Sequence, residues 1–191
     1  MLFTALLATL ILGGCHDDTS IREFGSGTTG TTSGIGGSGS AIEIIDVGST
    51  LAPGEFLLAD FAISPAGKVS INADLSSGQE VEVYFLNETE WYFWREIENN
   101  GGDVSSYSFL SAYPDLESAL STSFNSPQVT VDAGFYGVLI ENTDAGFVQP
   151  DPDGESSAVS LSVSTEAIDT SSDAPTISSV RVKKSRIGKL D

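Results

Sequence analysis

From residue 41 onward apolar and polar residues alternate with a period of two, and this constrains the fold more than any other feature of the chain. Only an extended strand sends successive side chains to opposite faces. Seven stretches fit: AIEIIDV (41–47), EFLLADFAI (55–63), GKVSINAD (67–74), EVEVYFLN (80–87), VSSYSFLSAY (104–113), FYGVLIEN (135–142) and SAVSLSVST (157–165), with SPQVTVD (126–132) as an eighth. Turn formers separate them, among them Ala52-Pro53-Gly54, Ser64-Pro65-Ala66-Gly67, Ser76-Ser77-Gly78 and Asp132-Ala133-Gly134. Strands at this spacing, without amphipathic helices between them, predict an all-β fold: a single antiparallel β-sandwich of about eight strands. A stretch of about 125 residues is long enough for one core.

ETEWYFWREIEN (88–99) breaks the alternation. Trp91, Trp94 and Ile97 recur at i, i+3 and i+6 behind an acidic start, which predicts one short helix laid over the sandwich. Asn87-Glu88-Thr89 is placed to cap it. Two readings of the aromatic run stand side by side. Trp91, Tyr92, Phe93 and Trp94 are either core and rim residues or a platform for a sugar or peptide.

Composition narrows the chemistry. The single cysteine is Cys15 and the single histidine is His16, so residues 41–191 contain neither. Disulfides, Ser-His-Asp and Cys-His nucleophile activation and ordinary His/Cys zinc sites are thereby excluded from this region. Residues 41–176 carry 23 acidic side chains against Lys68 and Arg95, a net charge of −21. Such a field excludes a nucleic-acid groove and suits a soluble surface that repels other acidic surfaces. Five of the eight basic residues, Arg181, Lys183, Lys184, Arg186 and Lys189, fall in the last eleven positions. This cluster reads as a solvated tail, with docking on the chain's own acidic face or on anionic lipid as the alternatives.

The first forty residues speak of location. LFTALLATLIL (2–12) is uncharged, the size of a signal-peptide h-region and shorter than the roughly 20 residues of a membrane-spanning helix. It runs into Leu12, Gly13, Gly14 and Cys15, which resembles the bacterial lipobox: an aliphatic residue, two small ones and a cysteine. The resemblance implies that Cys15 takes a diacylglycerol and becomes the first residue after cleavage. The alternative, a free cysteine buried in an apolar segment, leaves the next stretch unexplained. GSGTTGTTSGIGGSGS (25–40) is flexible coil by composition, and the 26 residues 15–40 give roughly 25 to 30 Å of reach. His16 is not the aspartate that resembles an inner-membrane retention signal, so a host with two membranes would place the protein in the outer one. The expected organisation is a signal peptide (1–14), a lipidated cysteine and linker (15–40), the sandwich (41–166) and a flexible tail with a basic end (167–191).

Within the sandwich, GKVSINADLSSGQEVEVYFLNETEWYFW, DAGFYGVLIENTDAG and SAVSLSVS together resemble the jelly-roll β-sandwich of bacterial pre-peptidase C-terminal domains and the related GOLD domain. The shared features are a strand leading into an aromatic-rich helical turn (81–94) and a Gly-led strand ending in Asn-Thr-Asp (133–144). The resemblance implies an accessory or partner-binding module, in some cases with calcium held by acidic loop residues. Their counterparts here are Asp144, Asp151, Asp153 and Glu155. Oxygen ligands at alternate positions suit calcium, but the spacing is not that of an EF-hand and the two prolines fit a solvated turn. No other cofactor is implied.

The expected function is a non-enzymatic, lipid-anchored module of the cell envelope, partnered with the membrane through its lipid and with an envelope protein or glycan. A carbohydrate- or protein-binding accessory domain with a calcium-stabilised loop is one alternative. A carboxylate-dependent hydrolase is another, needing two carboxyl groups about 5 to 9.5 Å apart across a cleft.

Overall fold

In the computed structural model, which describes residues 41–100, 112–148, 151–169 and 171–187, the alternating stretches are strands. Cys15, the expected signal peptide and linker, and most of the strand expected at 104–113 lie outside the described residues. The strands are β1 (Ile42–Leu51), β2 (Glu55–Ser64), β3 (Gly67–Ser77), β4 (Val81–Asn87), β5 (Ser118–Leu120), β6 (Ser123–Asn125), β7 (Val129–Val131), β8 (Gly134–Asn142), β9 (Ser157–Glu166) and β10 (Thr176–Arg186). Among the described residues one α-helix forms, α1 (Glu88–Asn100), and it follows β4 directly.

Two five-stranded antiparallel sheets form. One is ordered β1-β9-β3-β6, with β7 also on β3, and the other β10-β2-β8-β4-β5. Since β6 pairs with Asn72–Asp74 and β7 with Gly67–Val69, they occupy one interrupted position beside β3. With β10 set aside, eight positions remain, and their order is that of a jelly roll: two interleaved Greek keys with β1 and β9 closing the chain on itself. β10 is an addition on the outer edge of β2.

The core lies between the sheets. Val69, Ile71 and Ala73 of β3 and Val159, Leu161 and Val163 of β9 supply one wall with the expected alternation. The facing wall holds Leu57, Phe61, Val83, Phe85, Val138 and Ile140. Phe85 stacks on Tyr136 at 5.1 Å and meets Tyr113 edge-on at 5.4 Å, while the Tyr136 hydroxyl donates to the Asp132 carbonyl at 3.0 Å. Strands β2, β4 and β8 are buried on their other face as well, because α1 and the segment after β8 cover it.

The flexible tail expected from residue 167 needs correction, since Thr176–Arg186 is a strand paired along β2. TISSVRVKKSR lacks apolar alternation because an edge strand with water on one side needs little of it. Its cations meet acids instead: Lys183 with Glu98 at 2.5 Å, Lys184 with Glu55 at 2.8 Å, Arg181 with Asp60 at 3.1 Å and Arg186 with Glu55 at 3.6 Å. Of the three fates open to the basic cluster, four of its residues take docking on the chain's own acidic face. The folded unit therefore extends past residue 166.

Helix α1 starts where the sequence predicts. The Asn87 side-chain oxygen accepts from the backbone N–H groups of Thr89 at 2.9 Å and Glu90 at 3.1 Å, and the Asn87 N–H donates to the Glu90 carboxylate at 3.0 Å. This reciprocal capping box satisfies donors that the first turn leaves without partners. Asn87→Ala is expected to cost about 1 kcal/mol in chemical denaturation. An unchanged midpoint would show that the cap contributes nothing.

Candidate functional site

The aromatic run divides by helical phase. Trp94 is fully buried on the outer face of the second sheet, edge-on to Phe56 at 5.1 Å and packed with Leu58, Tyr84, Leu86, Leu139 and Ala145. Trp91 and Ile97 pack against the same cluster, so the i, i+3, i+6 stripe faces the sheet. Trp91 also meets Phe135 edge-on at 4.9 Å, and the Arg95 guanidinium sits 5.7 Å from the centre of its ring. A Cβ at Gly137 would come within 3.0 Å of the Trp91 ring and 3.2 Å of Leu58, so the absence of a side chain there lets the helix seat closely. Tyr92 and Phe93 point the other way and are 58% and 55% exposed. The four residues do not form one platform: Tyr92 and Phe93 are exposed, Trp91 is partly buried and Trp94 is buried.

The same outer face holds a carboxylate pair that alternation alone does not reveal. Glu82 of β4 and Glu141 of β8 are direct cross-strand partners, 4% and 1% exposed. Desolvation pushes the Glu141 carboxyl well above the usual range, against the Thr143 donors that favour its charged form; the neighbouring Glu82 charge and their mutual hydrogen bond push it further up. Two anions side by side in so dry a place are unfavourable, which favours the protonated form of Glu141 beside Glu82. The Tyr84 hydroxyl lies beside Glu82, and its ionisation is pushed up by burial first and by Glu82 second.

This pair organises the segment after β8. The Thr143 N–H donates to Glu141 Oε2 at 2.8 Å, and the Thr143 hydroxyl donates to the same oxygen. Glu82 Oε2 accepts from the N–H groups of Phe147 at 2.9 Å and Val148 at 3.0 Å. Gly146, at φ +74°, passes so close that a Cβ would lie 2.2 Å from both Glu82 Oε2 and the Tyr84 hydroxyl. The loop is thereby closed over the pair, burying Ala145 beside Trp94 and leaving Phe147 91% exposed. Both glutamates occupy polar positions of strands whose alternation otherwise implies a solvated outer face. Their cue in the sequence is their setting, Glu82 between Val81 and Val83 and Glu141 at the end of the apolar run Val138-Leu139-Ile140.

The acidic residues suggested for calcium do not converge. Asp144, Asp151, Asp153 and Glu155 are each exposed, and among the described residues no group of three or more His, Cys, Asp or Glu side chains is arranged to hold a metal ion. The loop is organised by Gln79 instead. Its amide donates to the Asp151 and Glu155 carbonyls at 3.2 and 3.1 Å, and its oxygen accepts from the Asp151 N–H at 2.7 Å. The Asp151 carboxylate accepts from the Asp153 N–H at 3.0 Å, which makes this a self-bonded turn. An amide on a distant hairpin does the tying, a role that no local spacing announces.

No described helix is long and apolar enough to cross a membrane. No protein-family model matches the chain, and no curated protein or solved structure matches it either.

Two outcomes test the site. Trp94→Ala is expected to lose about 3 to 5 kcal/mol, whereas Tyr92→Ala and Phe93→Ala should stay within about 0.5 kcal/mol of the parent; thermal unfolding distinguishes these. Glu141 is a carboxyl with a raised pKa in the folded state, so its contribution is complete below the ordinary glutamate range and is lost as pH rises toward the folded value. Glu141→Gln keeps the neutral form. It should match the parent near about pH 4, melt higher near about pH 8 and flatten the decline between them.

Proposed function

We propose that this chain is a lipoprotein whose β-sandwich is held at the cell envelope by a diacylglycerol on Cys15 and acts there as a structural or recognition module without catalysis. The observation that carries this reading is the junction near residue 41. The apolar run, Leu-Gly-Gly-Cys and the Gly/Ser/Thr spacer follow one another, and β1 begins at Ile42, directly after the spacer. Cleavage before Cys15 leaves every described strand intact, and a spacer of 26 residues lets the sandwich stand roughly 25 to 30 Å from the headgroups. In a host with two membranes the outer one is the expected location.

The carboxylates support a role other than hydrolysis. Glu82 and Glu141 bond to each other and to their own loop, where a glycosidase would hold two carboxyl groups about 5 to 9.5 Å apart across a substrate cleft. Exposed Tyr92 and Phe93 on α1 favour recognition over a purely structural part, since aromatic side chains offer large contact areas to a glycan ring or protein partner at small entropic cost.

Cys15→Ser decides the anchoring. The variant is expected to leave the membrane fraction of native cells and to retain its first fourteen residues, as read by fractionation and intact mass. A variant still bound to membranes after a high-salt wash would overturn the lipoprotein reading.

A further inference from the structure

The jelly roll is complete without β10. Its eight positions are filled by β1–β9, and the pairing of β1 with β9 closes the chain before β10 is reached. β10 is then laid on the free edge of β2, in register from Thr176 opposite Ser64 to Arg186 opposite Glu55, with a break between Ser178 and Arg181. No residue of β10 is buried, unlike the nine- to eleven-residue strands β1, β2, β3, β8 and β9. Its apolar hold is slight: Ile177 and Val182 are partly buried against the core, with Pro175 buried just before the strand.

Backbone pairing and charge supply the rest. Arg181, Lys183, Lys184 and Arg186 meet Asp60, Glu98 and Glu55, while the Lys184 ammonium also donates to the Thr50 carbonyl at 2.6 Å. These contacts bring a basic strand to an acidic body, and only nine residues, 167–175, connect that strand to β9. Fully extended, such a connection spans about 30 Å.

We propose that β10 is an exchangeable strand, and that the β2 edge of one copy accepts Thr176–Arg186 of a second copy. Every β2–β10 bond and ion pair is reproduced between copies, so exchange costs little beyond the changed path of the connection. The partner is chosen by charge. A body of net charge −21 over residues 41–176 repels a second such body, and the basic strand is the complementary piece each copy carries. Exposed ion pairs weaken as salt rises, so raised ionic strength loosens the strand and speeds exchange.

The absence of any cysteine after Cys15 makes the test direct. In the full chain carrying Cys15→Ser, Ala59→Cys is made in one preparation and Val182→Cys in another, since Ala59 and Val182 are cross-strand partners. Ala59 is fully buried, so its replacement meets a thiol of another copy only when that copy's β10 lies on β2. Mixing the two under mild oxidation should give a 59–182 cross-linked heterodimer, formed faster after incubation at about 1 M salt. The double variant in one chain provides the geometric control by closing its own disulfide. If that control closes while the mixture stays uncross-linked at every salt and concentration, the proposal is overturned. A scrambled peptide of β10 composition that blocks the cross-link as well as the native sequence would also overturn it, because the edge would then select charge and not a second copy. The parent chain with Cys15→Ser and no added cysteine offers a second readout: its dimer fraction in sedimentation should rise after incubation at high salt, and a strictly monomeric chain counts against exchange.

Discussion

Burial of the second sheet on both faces is the constraint from which the rest of the structure follows. Strands β2, β4 and β8 have apolar residues facing the core and a second apolar set, Phe56, Leu58, Leu86 and Leu139, facing outward. A β-sandwich normally leaves that outer face to water. Here it must be covered, and α1 does so with Trp94 as the central contact. The close seat of Trp91 above Gly137 and the reciprocal cap at Asn87 both follow from laying a helix on that sheet.

The same cover explains the chemistry beneath the loop after β8. Once the helix and loop exclude water, polar side chains on the outer face lose their solvent and must find partners. Glu82 finds two backbone N–H groups, and Glu141 finds the Thr143 donors and Glu82 itself. Asp60, raised by burial and lowered by Arg181, is settled at the sheet edge by a strand that arrives from the end of the chain. An acidic composition that reads as a solubilising surface is thus partly an internal bonding system. Surface ion pairs of the β10 kind contribute little each, but they decide where an otherwise polar strand lies.

The resemblance to pre-peptidase C-terminal and GOLD domains rests on sequence motifs alone, since no protein-family model matches the chain. Its two main motifs fall on the structural devices just described. Residues 81–94 include the capped start of α1, and residues 133–144 run through β8 into the Thr143 turn, with Asn142 donating to the Leu51 carbonyl at 3.0 Å. Fold and function separate at this point: such motifs secure the sandwich and by themselves specify no ligand, while Tyr92, Phe93 and Phe147 are the aromatic side chains exposed among the described residues.

Much of the fold was legible in the sequence. Alternation and turn residues located β1–β4 and β7–β9 to within a few residues, and helical phase and a capping residue located α1, because strand and helix periods are local consequences of backbone geometry. The site was less so. The aromatic run showed that a choice between core and platform existed, and only packing divided Trp91 and Trp94 from Tyr92 and Phe93. The Glu82–Glu141 pair, the Gln79 tie to the acidic loop and the docking of β10 depend on register between strands far apart in the chain. A polar residue in an alternating strand looks the same whether its face meets water or a helix. The sequence by itself determined which segments extend and which coil; tertiary structure alone decided which charges are buried together, because burial is a property of what packs on a face and not of the face.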